Sequence, residues 1–351
     1  MNAMSALFAN RWVRLGLVVV AAVLLVVAPL VSDRYINYQL SIMAVYAVAL
    51  LGLNIVMGYT GQVSLGQSAF IGIGAYVTAY GVTHGWPIPL TFLLACVLPG
   101  VIGMLVALAA ARLRGLALAM VTISLPIIGI PVAKRFPEIT GGAQGVTVSW
   151  MKAPEWIGLD DDQYRYYVVV AIAVVFFLLG RNLVRGRIGR AFAIVKDNEN
   201  VAISMGVSPY RTKVMAFTIA SIFGGASGFL YLVIVQYTSP ETMSFATSIN
   251  LVAAMVIGGA ASIVGTVLGA VYYVAVPALA GTVNSSRTAL ISGAVLLAVL
   301  FLLPGGIVSL PRRLGQLVRS LRARFGRPGS PDAPDDPAVP AASAPGSTEN
   351  K

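Results

Sequence analysis

Thr60, Gln62, Ser64, Gln67 and Ser68 are the side chains whose types and spacing could do chemistry together in this 351-residue chain. They lie in Gly58–Tyr76, GYTGQVSLGQSAFIGIGAY, directly after an apolar run, Tyr35–Met57, long enough to cross a bilayer. Hydroxyls and amides set among glycines offer hydrogen bonds to a polar solute rather than nucleophilic attack. Lipid tolerates broken, polar backbone only where it is packed in protein or lines a wet cavity. Interrupted helices of this kind point to a transport pathway. The alternative is close helix packing through Gly66, Gly72 and Gly74. Packing alone needs small residues but not two glutamines, which favours the pathway.

Reaction chemistry is otherwise scarce. One histidine, His84, and one cysteine, Cys96, exclude a disulfide framework and a Cys/His metal site. They also leave nucleophile–base pairs nearly unavailable. His84 reads as a solvated residue of an outer loop. No Gly-x-x-x-x-Gly-Lys-Ser/Thr phosphate loop occurs, so the chain is expected to bind no ATP in that way. It reads as a translocating protein and not an enzyme.

The elements that must position the break are apolar helices. The chain is 58% hydrophobic and 11% charged, and runs near 20 apolar residues recur from 15 to 310. Candidate membrane segments are 15–31, 35–57, 69–83, 88–111, 115–132, 165–180, 214–236, 249–263, 264–280 and 288–309. Arg and Lys occur only at their edges. The first segment is longer than the apolar core of a usual signal peptide and lacks a clear A-x-A site, so it reads as a retained helix. The expected fold is therefore an all-α polytopic membrane protein with about 8–10 transmembrane or re-entrant helices and Gly-rich breaks.

A net charge of +11 could indicate nucleic acid, but its distribution argues for membrane orientation instead. With the N-terminus (1–14) in the cytoplasm, that side receives Arg11, Arg14, Arg112, Arg114, the seven basic residues from Arg181 to Lys213 and seven more after Pro311. These are 18 of the 24 lysines and arginines. The other side keeps Arg34, Lys134, Arg135, Lys152, Arg165 and Arg287. The opposite orientation would invert this positive-inside pattern. The transmembrane part spans 15–310, with a cytoplasmic segment at 181–213 and an external loop at 133–164. The tail, 311–351, is basic and then Pro/Ala/Ser/Asp-rich, which reads as disordered.

A second break is expected within 249–280. Two short crossings or a re-entrant pair interrupted at Gly258, Gly259 and Ser262 keep the basic tail inside, whereas one long crossing would not. VIGGAASIVG (256–265) faintly echoes VMGYTGQVSLG (56–66), as an internal repeat would. Glycine-rich helix packing alone could also produce the echo. Outside, Thr140, Gly141, Gly142 and Gln144 in TGGAQG (140–145) read either as a structured loop that docks a protein or caps the pathway, or as a plain turn. On the cytoplasmic side, Ala191–Met205 has an apolar face at Phe192, Val195 and Ile203. Lys196, Asp197 and Glu199 mark a turn or an exposed face, and Gly206 and Pro209 stop the helix. Such a helix suits a soluble partner or the lipid headgroups. The acidic residues and the abrupt glycine favour a protein.

Four stretches in this order resemble one family: GYTGQVSLGQSAFIGIGAY (58–76), TGGAQG (140–145), GRAFAIVKDNENVAISMG (189–206) and IGGAASIVGTVLGA (257–270). Over about Ile36–Ser309 the chain is similar to the permease subunit of bacterial branched-chain amino acid ABC transporters, LivM type. The resemblance implies an inner-membrane importer with an H-type permease partner, two ATP-binding subunits that carry ATP and Mg, and an extracytoplasmic substrate-binding protein. It implies that 189–206, including Asp197, Asn198, Glu199, Ala202 and Gly206, docks into the ATPase. The family's Glu-Ala-Ala-x-x-x-Gly there reads Asn200-Val201-Ala202-Ile-Ser-Met-Gly206, so Ala202 and Gly206 are the positions that match. Relatives moving urea or short amides leave the substrate open. With no charge inside the spans, helix-break amides and carbonyls would solvate a bound amino acid. A proton-coupled carrier normally keeps an acidic residue or His in a span. A sodium-coupled carrier using carbonyls stays open, and a passive channel would leave 189–213 without a purpose.

Overall fold

The computed structural model describes residues 23–309 except 24, 114, 156–157, 284–287 and 303–304. The N-terminus 1–14, expected in the cytoplasm, most of the first segment 15–31, Arg287 and the tail 311–351 therefore lie outside the described residues.

The main helices, in chain order, are α1 (Arg34–Asn54), α2 (Gln67–Thr83), α3 (Ile88–Ala110), α4 (Leu116–Arg135), α5 (Pro137–Thr140), α6 (Asp161–Arg185), α7 (Arg187–Asp197), α8 (Glu199–Ser204), α9 (Pro209–Val235), α10 (Phe245–Gly258), α11 (Ile263–Val283) and α12 (Thr288–Leu302). α1 runs on as a π-helix, Ile55–Tyr59. β1 (Val146–Thr147) and β2 (Tyr237–Thr238) form a short antiparallel ribbon. Six described helices are long and apolar enough to cross a membrane, so the chain is an all-α, multi-pass membrane protein. α2, with 17 residues, and α10, with 14, are shorter.

Local sequence sets the helix ends. α6 starts on a capping box between Asp160 and Gln163, with Asp161 and Asp162 in the first turn, where carboxylates complement the helix dipole. α9 starts at Pro209 behind Ser208, whose hydroxyl accepts from the Arg211 amide. Pro99, Pro126 and Pro131 lie inside α3 and α4, as membrane helices allow when neighbours satisfy the freed carbonyls.

α9 is the central packing element. Its Gly224-Gly225-Ala-Ser-Gly228 stripe lets backbones approach closely, as helices in lipid require. A Cβ on Gly225 would overlap the Ala95 carbonyl of α3, and one on Gly228 the Ile71 carbonyl of α2. Phe92, Phe176, Phe223 and Phe229 fill the space beside it, with Phe92 and Phe229 centred 4.9 Å apart and nearly perpendicular.

Two sequence expectations change in detail. The segments 249–263 and 264–280 become α10 and α11, with the break at 259–262, because the residues between Gly258 and Ile263 leave the helix. Of the turn or exposed helix face open at Lys196–Glu199, the structure has the turn, and Ala191–Met205 falls in two helices, because Asn198 adopts φ −160°, ψ 117° and its carboxamide oxygen accepts from the amides of Asn200 and Val201. A side chain that caps a new helix competes with continuing the old one.

Candidate functional site: two helix breaks and the helices beside them

The first break begins where α1 ends. Thr60 donates to the Val56 carbonyl at 2.6 Å, and the Gln62 amide returns to the same carbonyl at 3.0 Å. The chain then runs without regular structure from Gly61, left-handed at φ 70°, to Gly66, with Gly61 and Val63 exposed and Gln62 and Ser64 buried. The Gln62 carboxamide donates to Thr60 Oγ1 (2.9 Å) and to the Lys213 carbonyl (3.5 Å). Gln67 donates to the Ala49 carbonyl at 3.1 Å and to the Ala220 carbonyl at 3.4 Å. Ala49 lies roughly 15 Å up the helix from Tyr59 at about 1.5 Å per residue, so between Tyr59 and Gln67 the chain turns back along α1. Leu65 keeps its amide paired by donating to Thr122 Oγ1 of α4 at 3.0 Å.

Among Gln62, Ser64 and Gln67, the two glutamines hold the shape of the break by bonding backbone carbonyls. The open face belongs to Gly61 and Val63. Ser68 continues the network: its hydroxyl lies 2.7 Å from that of Ser248 on α10 and donates to the Met243 carbonyl at 3.1 Å.

The second break is built differently. Gly258 is buried, and a Cβ there would overlap the Gly265 carbonyl. Gly259 has φ 122°, a value closed to other residues. Ser262 Oγ accepts from the Gly265 amide at 3.1 Å and helps start α11.

Asn54, which sequence reasoning missed, joins the two breaks. Its Nδ2 donates to the Ser262 carbonyl (2.9 Å) and its Oδ1 accepts from the Ala261 amide (2.8 Å). It is fully buried. A carboxamide near the end of an apolar run was the available signal, because a buried amide must find partners. Gly58 leaves room for it, since a Cβ there would overlap Asn54 Oδ1.

The α7–α8 pair meets the first break from the basic end of the bundle. Lys196 Nζ donates to the Gly58 carbonyl at 2.7 Å. Lys213 Nζ, largely buried, pairs with Glu199 Oε1 at 2.6 Å. Asp197 ends α7, Asn198 caps α8, Ala202 is fully buried and Gly206 turns the chain at φ 77°. Val201 and Ile203 of α8 and Met205, its C-cap, are exposed.

TGGAQG lies at the opposite end. Gly141 (φ 69°), Gly142 and Gly145 are left-handed, and a Cβ on Gly145 would overlap the Thr238 carbonyl of β2. Thr140 Oγ1 donates to the Phe136 carbonyl at 2.8 Å and accepts from the Gly142 amide at 3.2 Å. Gln144 is exposed, and its carbonyl accepts from Tyr237. Thr140 also lines a largely apolar cavity of about 760 Å³ with Tyr76, Trp86, Ile128 and Met243. None of the residues of the two breaks lines it. Nearby, Glu241 pairs with Lys134 at 3.2 Å. Its own backbone amide, followed by Lys134, holds its carboxyl below the usual range. Among the described residues no group of three His, Cys, Asp or Glu gathers as metal ligands would.

A family model described as "Branched-chain amino acid transport system / permease component" matches residues 35–303. The chain belongs to this permease family. It is a transport permease with several membrane spans. It is 29% identical to the high-affinity branched-chain amino acid transport system permease protein LivM of Escherichia coli strain K12, over 86% of this chain and 76% of that protein. It has the same identity to LivM of Salmonella typhimurium, over 76% of this chain and 68% of that protein. It is 22% identical to the LivH permease of E. coli K12, over 76% of this chain and 92% of that one.

Proposed function

We propose that the chain is the LivM-type half of an ATP-binding-cassette importer that carries branched-chain or other hydrophobic amino acids across the bacterial inner membrane. It works with an H-type permease, two ATP-binding subunits that hold ATP and Mg, and an extracytoplasmic substrate-binding protein. Both termini face the cytoplasm, on the side that receives 18 of the 24 basic residues. The observation that carries this reading is the contact between the α7–α8 pair and the first break. α8 and its C-cap leave Val201, Ile203 and Met205 exposed, apolar surface suited to a soluble partner, while Lys196 of α7 reaches the Gly58 carbonyl. A device that meets a partner on one side and the broken helix on the other is what an externally powered permease needs. The open faces at Gly61, Val63, Ala260 and Ala261 border the pathway, and the TGGAQG loop faces the binding protein.

The test is uptake into proteoliposomes. The full complex should accumulate leucine only with ATP and loaded binding protein, and this chain alone should accumulate none. Ala202→Trp, which forces a large ring into a buried site, should lower ATPase stimulation by loaded binding protein. Accumulation by this chain alone, or uptake driven by a sodium gradient without ATP, overturns the reading.

A further inference from the structure

The carbonyls of the last turn of a helix have no intrahelical partner. At the end of α1 this turn is a π-helix, a rare form found often at functional sites. The Gly58 carbonyl in it is taken by Lys196 Nζ at 2.7 Å, from a helix 138 positions away in sequence. The lysine stem also lies over the break: a Cβ built on Gly61 would sit 3.1 Å from Lys196 Cγ. A second link runs beside the first. Glu199 of α8 pairs with Lys213 Nζ at 2.6 Å, and the Lys213 carbonyl accepts from Gln62 Nε2 at 3.5 Å. From the π-turn the network continues through Asn54 to the Ala261 amide and the Ser262 carbonyl. The α7–α8 pair is therefore tied to the first break at two points, and the first break is tied to the second.

We propose that Lys196 is a positioning residue: its ammonium on the Gly58 carbonyl carries displacement of the α7–α8 pair into 55–66 and, through Asn54, into 259–262. A charged donor on a carbonyl gives a strong, directional contact, so the helix pair and the π-turn move together. Without it, α7–α8 can shift while the break stays in place. The inference rests on the reading of this chain as a permease worked by separate ATPases.

The test uses the full reconstituted complex and reads leucine taken up per ATP hydrolysed in the presence of loaded binding protein. Lys196→Met should lower that ratio by at least about fivefold, the low end of coupling between sites. Lys196→Arg, which keeps a cationic donor, should retain most of it. A Met variant whose ratio matches the wild type overturns the proposal. So does a variant that assembles at normal yield but whose uptake and hydrolysis fall in step, since a merely structural lysine behaves that way. A second variant covers failure of the first to assemble. The Gly61 Cβ position lies 3.8 Å from Lys196 Cβ, within the usual span of a disulfide. Gly61→Cys with Lys196→Cys, in a Cys96→Ser background, should be uncoupled when reduced and regain coupling when oxidised with copper phenanthroline. An unchanged ratio on oxidation overturns the proposal. A wild-type complex that shows no ATP-driven uptake rejects the functional reading instead.

Discussion

The two breaks do the same job for the backbone by different means. The first, 60–66, is long and is held by side chains: Thr60, Gln62 and Gln67 return to the carbonyls of Val56, Lys213, Ala49 and Ala220. The second, 259–262, is short and is held by glycine packing, with Gly258 against Gly265 and Gly259 at φ 122°. Its only described side-chain tie to α1 is Asn54, which belongs to the first break's own helix. A break held by side-chain hydrogen bonds is adjustable, because each bond contributes about 1 kcal/mol and can be exchanged. A break held by backbone-to-backbone contact has little freedom to yield. On the coupling proposed above, this difference puts movement in the first break, with the second following it.

The largest expected effect tests that rigidity. Gly258→Val places a branched side chain on the Gly265 carbonyl and should leave little folded protein in size-exclusion chromatography, since overpacking costs about 1–3 kcal/mol or more. Gly61→Ala meets only the flexible Lys196 stem at 3.1 Å and strains a left-handed residue by roughly 1–2 kcal/mol, so folded protein should persist. Equal yields of the two variants would erase the distinction between the breaks.

A smaller effect separates side-chain ties within the network. Asn54→Leu removes both hydrogen bonds that tie the second break to α1, at about 1 kcal/mol each, and sets an apolar side chain against the Ala261 amide and the Ser262 carbonyl. Gln67→Leu takes a second donor from carbonyls that still accept within their own helices, at about 1 kcal/mol. Thermal unfolding of the purified protein should show a clearly larger fall in midpoint for Asn54→Leu. The reverse order would make the first break, rather than the link between breaks, the stability-determining element.

The smallest effect comes from the rim. Ser68 donates to the Met243 carbonyl, so the turn Pro240–Met243 borders the first break and not the second. The Glu241 carboxyl there is held below its ordinary range by its own backbone amide and by Lys134. Its contribution is therefore present above the ordinary carboxylate range and is lost as pH falls through the lowered value. The carboxylate is fully exposed, so the effect is slight. Proteolysis or hydrogen exchange at 240–243 should rise only below the usual range of a carboxylate, with 259–262 unchanged. A change near neutral pH would contradict the assignment.

Apolar run length, the glycines and the charge distribution were enough to fix a helical membrane protein. They also located both breaks and marked TGGAQG as a loop or turn, whose positive φ values the structure then supplied. These are local properties: burial in lipid needs about 20 apolar residues, and positive φ needs glycine. The split at Asn198 was less legible, because Lys196-Asp197-Asn198-Glu199 suits an exposed helix face as well as a cap, and only the backbone geometry decides between them. What the tertiary structure alone decided is who meets whom. No periodicity in sequence pairs Asn54 with Ala261, Lys196 with Gly58, or Gln67 with Ala49 and Ala220. Those partners are 207, 138, 18 and 153 positions apart. They come together because α9, with its glycine stripe, draws α2 and α3 close and leaves the buried amides only the carbonyls of neighbouring helices as partners.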